Sequence, residues 1–277
     1  MSDLPKRLLT AIILGVLVIG SIYYSESTFC VLMIVISLIA SHEYISLSTY
    51  GAEVSEPNII KKAGAFISGI PLILYLFFKL SHTPYTFALL MLGILIGMMV
   101  LYSYQLFKNE IGDWRVYQSA AMATVYIGVP SLMIVWISSY PVAYDWMKPM
   151  SLLILIWAND VFAYFTGRLL GKRPLYAQIS PKKTMEGFAG GLISTIITAL
   201  ILSVYVHQLS PIQWVIYGFT ISIVSTVGDL FESMIKRRYG VKDSGTLLPG
   251  HGGFLDRFDA FLFSIPIAAL FLYLCWK

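Results

Sequence analysis

Cysteine, charge and linker-like sequence are all scarce in this chain, and each scarcity excludes a class of protein. Only Cys30 and Cys275 occur, both inside apolar runs, so neither a disulfide framework nor a Cys-x-x-Cys metal site is available. Charged residues occupy 12% of the 277 positions, about half the 25% usual in soluble globular domains. An ordinary soluble enzyme is thereby excluded. The formal net charge is only +4 and the basic residues are scattered, so no nucleic acid is expected as a partner. No fixed-period repeat, low-complexity tract or Pro/Ser-rich linker divides the chain.

Apolar and aromatic residues make up 57% of the sequence, with a mean hydropathy of +0.76. Charge-poor runs fall at 8–24, 28–48, 63–79, 85–107, 117–139, 150–168, 187–207, 211–229 and 257–276, each near the roughly 20 residues needed to cross a bilayer. They lack the period-2 alternation of barrel strands, so an all-α, polytopic integral membrane fold with about nine spans is expected. The first run follows Pro5-Lys6-Arg7 and reaches Ser25-Glu26 without a small-residue cleavage site, so it reads as a retained helix.

Placing the N-terminus in the cytoplasm puts loops 49–62, 108–116, 169–186 and 230–256 inside. Sixteen of the nineteen Lys and Arg residues then lie inside, leaving Lys79, Lys148 and Lys277 outside. That asymmetry is the one the positive-inside rule predicts. Composition also divides the chain. Residues 1–148 hold five nearly charge-free spans, whereas 149–277 alternate spans with the long polar loops 169–186 and 230–256. Chemistry is expected in the second part.

An Asp in a span costs roughly 2.5–3.5 kcal/mol on insertion scales, so carboxylates there usually face protein or an aqueous cavity. Here they are Glu43, Asp160, Asp229, Glu232, Asp256 and Asp259. Glu43 is within a turn of the inner surface and reads most simply as solvated. Asp160, in Trp157-Ala-Asn-Asp160-Val-Phe-Ala-Tyr164, lies well inside an apolar run, which implies a functional or internally paired acid. Loop 169–186 contains Lys172-Arg173 and then Ser180-Pro-Lys182-Lys183-Thr-Met-Glu186-Gly187. Two lysines at a helix entrance favour a phosphate. The plainer alternative makes them orientation signals at anionic headgroups, with Ser180 a turn or cap.

The densest polar segment runs from Gly228 to Asp259. Asp229 and Glu232, like Asp256 and Asp259, are spaced i, i+3 and would share a helix face if their helices extend that far. Carboxylates from two helix ends repel unless a cation sits between them, and Mg²⁺ suits carboxylate oxygens and substrate phosphates together. Gly250, Gly252 and Gly253 permit backbone amides to approach a phosphate chain, with His251 as a further donor.

Ser233, Lys236, Arg237, Lys242, Asp243, Gly245, Leu248, Pro249, His251, Gly252, Gly253, Asp256, Arg257 and Asp259 stand at the spacing of a known signature. The segment resembles the CDP-diacylglycerol synthase (phosphatidate cytidylyltransferase) family at every fixed position. The resemblance extends to Trp157-x-x-Asp160, Ser180–Gly187 and Gly228–Arg237, covering most of 155–260. It implies a membrane nucleotidyltransferase of phospholipid biosynthesis that converts CTP and phosphatidate into CDP-diacylglycerol and pyrophosphate with Mg²⁺. On that resemblance Asp229 and Asp256 are the metal ligands and form the catalytic group with Lys242, Asp243 and Arg257. Lys182, Lys183, Lys236, Arg237, Lys242 and Arg257 clamp phosphates; Asp243, His251 and Asp259 orient them. Ser180, Gly252 and Gly253 line the substrate site, and Asp160 holds a second cation or a lysine. It further implies membrane lipid as surroundings, a homodimer, and a bacterial inner membrane with the site facing the cytoplasm. A CTP-dependent polyprenol or phytol kinase is the nearest alternative, and a cation or proton transporter the alternative of a different class.

Overall fold

The computed structural model describes residues 4–49, 57–80, 114–248 and 252–276. The run expected to span at 85–107 lies outside the described residues, as do Gly250 and His251. Among the described residues five helices are long and apolar enough to cross a membrane: Glu26–Ser48, Gln118–Ser139, Met147–Leu170, Met185–Tyr205 and Pro211–Arg238. Shorter apolar helices cover Leu9–Tyr24, Lys62–Leu76 and Asp259–Cys275. The all-α expectation therefore holds, and the protein is an integral membrane protein. The chain forms two compact units, Met1–Val135 with Asp243–Arg257, and Trp136–Lys242 with Phe258–Lys277.

In the first unit α1 (Leu4–Tyr24), α2 (Glu26–Ser48), α3 (Pro57–Leu80) and α4 (Trp114–Ala123) are followed by a π-helical turn at Thr124–Gly128 and α5 (Val129–Ser139), which continues past Val135. Ser25 starts α2 by accepting the Thr28 N–H at 3.2 Å. Lipid tails are as apolar as leucine, so small residues and interhelical hydrogen bonds hold such helices together. Ser68 donates to Ser41 at 2.7 Å, and Ser37 donates to the Ser68 carbonyl at 3.3 Å. Gly128 brings its backbone so near α3 that a Cβ there would sit 2.4 Å from the Ser68 oxygen. The π turn has a local cause in Pro130. It has no N–H for the carbonyl four residues back, and the widened turn instead directs the Val129 N–H to Thr124. Phe29, Met33, Ile36, Ile45, Leu72 and Ile127 fill the core between these helices.

In the second unit α6 (Met147–Leu170) leads into a hairpin of β1 (Pro174–Tyr176) and β2 (Ser180–Thr184), then α7 (Met185–Tyr205), α8 (Pro211–Arg238) and α9 (Asp259–Cys275). The hairpin is antiparallel, pairing Pro174 with Thr184 and Tyr176 with Ser180. Asp145 accepts the Met147 N–H at 3.0 Å at the start of α6 and the Trp276 indole N–H at 3.0 Å. Lys148, placed outside by the charge count, is only 3% exposed. Its ammonium donates to the carbonyls of Ile137, at 3.1 Å, and Tyr140 at the end of α5, where the helix dipole favours a cation. Gly191 lets α7 close on α6, since a Cβ would meet the Asn159 Oδ1 at 2.8 Å. A capping box of Ser210 and Gln213, with Pro211 behind it, starts α8. Trp214, Tyr217, Ile221, Leu152, Leu155, Leu262 and Ile265 form the core. Ile193, Ile197, Ile201 and Val204 of α7 stay exposed, as expected of a face that meets lipid.

Candidate active site

The second unit places most of its chemistry at the end of α8. A loop was expected from residue 230, but α8 continues to Arg238, so Glu232, Lys236 and Arg237 are helical. Two local causes are visible: a Glu232–Lys236 ion pair at i, i+4, and Lys236, Arg237 and Arg238 in the last turn against the negative end of the helix dipole. Gly228 lets α9 approach, because a Cβ there would lie 2.7 Å from the Phe263 Cβ. The carboxyl of Asp259, 6% exposed, consequently lies within hydrogen-bonding reach of Asp229, and it also accepts its neighbour Ala260 N–H at 2.7 Å.

Lys183 reaches Asp229 from the hairpin, its ammonium paired with Oδ2. The two adjacent lysines differ in their surroundings. They lie in a strand, where successive side chains alternate in direction; Lys183 meets the acid and Lys182 is exposed. Thr184 caps α7 by accepting the Gly187 N–H at 3.1 Å, so the cap is Thr184 and Ser180 opens β2. Glu186 Oε2 accepts the Lys172 and Arg173 N–H groups at 3.0 and 3.2 Å, which ties both ends of the hairpin together.

Asp160 is exposed on α6 and the buried polar residue is its neighbour Asn159, at 2% exposure. Asn159 accepts the Ser222 hydroxyl at 2.6 Å and donates to Asp160 at 3.4 Å and to Thr226 at 3.5 Å. Asp160 thus has the Asn159 amide as a hydrogen-bond partner and also interacts electrostatically with Lys183, the kind of partner expected of it. Arg237 donates to the Val241 carbonyl at 3.0 Å, closing the helix end. Lys242 is exposed.

In the first unit the segment Asp243–Arg257 is organised by two carboxylates. Glu43, expected in solvent, is 7% exposed. Its Oε1 accepts the Phe254 N–H at 2.9 Å, and Oε2 accepts the Leu255 N–H at 2.9 Å and the Ser244 hydroxyl at 3.0 Å. Asp256 accepts the Ser244 N–H at 3.1 Å and the Gly253 N–H at 2.9 Å on Oδ2. Gly252 has φ of +79°, a conformation that favours glycine, and its carbonyl accepts the Leu248 N–H at 3.1 Å.

The Gly253 N–H goes to Asp256, and the Phe254 and Leu255 N–H groups go to Glu43. Asp256 lies in the separate 3₁₀ turn Leu255–Arg257, ahead of the helix that Asp259 begins, so the two do not share a helix face. Asp243 and Arg257 are exposed. Among the described residues no three His, Cys, Asp or Glu side chains form a group that could hold a metal ion.

The sequence reading missed Glu43 and Asn159 as organising residues. A signal existed for both, a polar side chain inside an otherwise apolar run.

A model of the cytidylyltransferase family matches residues 5–275. The chain is 32% identical over 271 residues to the phosphatidate cytidylyltransferase of Bacillus subtilis (strain 168), covering 96% of each protein. It is 31% identical over 269 residues to that of Staphylococcus aureus (strain COL), covering 96% of this chain and 98% of the relative. Similarity to the phosphatidate cytidylyltransferase of Staphylococcus saprophyticus reaches 47% identity over 121 residues, 43% of this chain and 46% of the relative.

Proposed function

The chain belongs to the cytidylyltransferase family, and from that premise we infer that it is a phosphatidate cytidylyltransferase, moving CMP from CTP to phosphatidate to give CDP-diacylglycerol and pyrophosphate. The observation that carries the reading is the Lys183–Asp229 ion pair. It joins in space two separate segments, Ser180–Gly187 and Gly228–Arg237, through which the sequence resembles this family.

A phosphatidate oxygen forms a bond to the α-phosphorus of CTP as the bond from that phosphorus to the β-phosphate oxygen breaks. Pyrophosphate leaves with the electron pair. The attacking phosphate is already ionised near neutral pH, so the protein need not remove a proton from it. Its task is to hold two polyanions together. Lys182, Lys183, Lys236, Arg237, Lys242 and Arg257 are assigned to that neutralisation, the arginines with bidentate capacity. Lys236 and Arg237 already have partners in Glu232 and the Val241 carbonyl, which supports a positioning share in their role. Asp243, His251 and Asp259 orient these groups; Ser180, Gly252 and Gly253 belong to the substrate surroundings.

Asp229 and Asp256 are the proposed Mg²⁺ ligands. The donor chemistry fits a hard cation. Asp229 has the Asp259 carboxyl within hydrogen-bonding reach, and Lys183 supplies one positive charge to this pair of acids; a cation would offset the repulsion further. Asp256 is oriented by two backbone N–H groups, while a carboxylate offers about four lone-pair sites. When bound, the cation offsets charge on the phosphates and on the departing pyrophosphate. A second cation at Asp160 belongs to the same proposal.

The finer topology is proposed on charge asymmetry: nine spans, a cytoplasmic N-terminus, and a site facing the cytoplasm from a bacterial inner membrane. Residues 149–277 are its catalytic part, and a homodimer is the proposed assembly. Product analysis tests the function. Purified protein incubated with CTP, Mg²⁺ and phosphatidate should yield CDP-diacylglycerol and pyrophosphate. CDP and a phosphorylated alcohol, formed from CTP and a polyprenol, would replace this reading with the kinase.

A further inference from the structure

The carboxylate of Glu43 is buried on a helix that is long and apolar enough to cross a membrane, and it is used on another segment entirely. Its three hydrogen bonds go to Ser244, Phe254 and Leu255, within the stretch that carries the family signature. The segment is shaped around it. A Cβ at Gly245 would lie 2.6 Å from Oε1, and one at Gly253 would lie 2.9 Å from Oε2 and 1.9 Å from the Ser244 hydroxyl. Glycine at these two places is thus explained by the acid lying against them, independently of any ligand. The carboxylate has a further consequence through Ser244, whose hydroxyl goes to Glu43 while its N–H goes to Asp256. Glu43 and Asp256 therefore hold the same residue from two sides.

We propose that Glu43 is a positioning residue of the cytidylyl transfer: from α2 it fixes the backbone at Ser244 and at Phe254–Leu255, and through that backbone the setting of Asp256 and Arg257. The proposal rests on the function inferred above. It adds a residue that lies outside the segments through which the sequence resembles the family, and it explains why a carboxylate is kept in an apolar span at a cost of kilocalories.

The test is Glu43→Gln in the full-length protein in detergent. An amide retains one acceptor oxygen and directs an NH₂ at the other donors, so one side of the bonding is lost. Hydrogen exchange should accelerate in Asp243–Arg257 by about tenfold to a hundredfold, the range that the loss of a hydrogen bond to a charged group corresponds to. Exchange in α6, α7 and α8 should not change. Turnover should fall by a similar factor of about 10–100, with a raised Mg²⁺ concentration for half-maximal activity and an unchanged melting temperature. Unaltered exchange and Mg²⁺ dependence would overturn the proposal, and so would uniform loss of protection with a lowered melting temperature, which marks a merely structural residue. Ser244→Ala, which removes one donor and leaves the acid, should shift exchange and Mg²⁺ dependence in the same direction by less. If it moves neither while Glu43→Gln does not fold, the proposal also fails. Exchange is read without substrate, so absence of CDP-diacylglycerol from the wild-type protein would count against the function and leave the exchange result standing.

Discussion

Lys183 and Asp229, 46 positions apart, meet as an ion pair between the second strand of a short hairpin and the late turns of α8. Each is about a third exposed, at 29% and 30%, so water reaches the pair and screens it. Its stabilising contribution therefore falls nearer that of surface pairs, about 0–1 kcal/mol, than that of buried ones. Its importance is in placement. The ammonium brings the hairpin to the end of α8, beside an acid that has a second carboxyl for a neighbour.

Replacing Lys183 with Ala should consequently lower turnover far more than stability. Melting in detergent should correspond to a loss of about 1 kcal/mol or less, while CDP-diacylglycerol formation from CTP and phosphatidate falls at least about a hundredfold, as when a charge-stabilising group is removed from an active site. Equal turnover in Lys183→Ala and wild type would remove Lys183 from the site.

Asp256→Asn should leave the protein folded and abolish most CTP- and Mg²⁺-dependent product. The asparagine keeps one oxygen for the Ser244 and Gly253 amides but loses the charge that a metal ligand needs. Near-normal turnover, measured by product analysis at several Mg²⁺ concentrations, would exclude the metal-ligand role.

Glu186→Ala frees the Lys172 and Arg173 amides and should loosen the hairpin at its base. Trypsin should then cut after Lys172 at least several times faster, the response expected when a charged hydrogen-bond acceptor worth about 1.5–3 kcal/mol is removed; cleavage after Arg173 stays blocked by Pro174. A cleavage rate equal to that of the wild type would show that Glu186 does not close the hairpin.

Gly128→Ala places a methyl where the Ser68 carbonyl stands, with the two atoms 2.4 Å apart before relaxation. Backbone must shift to admit it, at a cost of about 1–3 kcal/mol. The melting temperature in detergent should fall, whereas Gly15→Ala, inside α1 with nothing within 4 Å of the added carbon, should not lower it.

Hydropathy located the long helices because burial in lipid is a local property of composition. The carboxylates at the end of α8 were legible for the same reason, as polar residues closing an apolar run. Partners were not legible where contact depends on distant chain: nothing near Glu43 in sequence points to Phe254, 211 positions away. The hairpin carries no signal in the sequence because its strands have three and five residues, too short for a periodic pattern to appear. The spacing of Asp256 and Asp259 suits one helical face, but spacing alone does not reveal where a helix begins. Asp160 drew attention by its charge, while the adjacent Asn159 took the buried position.

The length of α8 has a consequence for the lipid around it. Its 28 residues extend about 42 Å at 1.5 Å per residue, against a hydrocarbon layer of about 30 Å. The apolar stretch from Pro211 to Gly228 is long enough to cover most of that layer, which would leave Glu232, Lys236 and Arg237 beyond it. Thicker acyl layers would draw these charges toward hydrocarbon or force the helix to change tilt, at fractions of a kcal/mol per Å. Turnover in vesicles should therefore depend on the chain length of the host phospholipid, making the enzyme responsive to the thickness of the bilayer it helps to build.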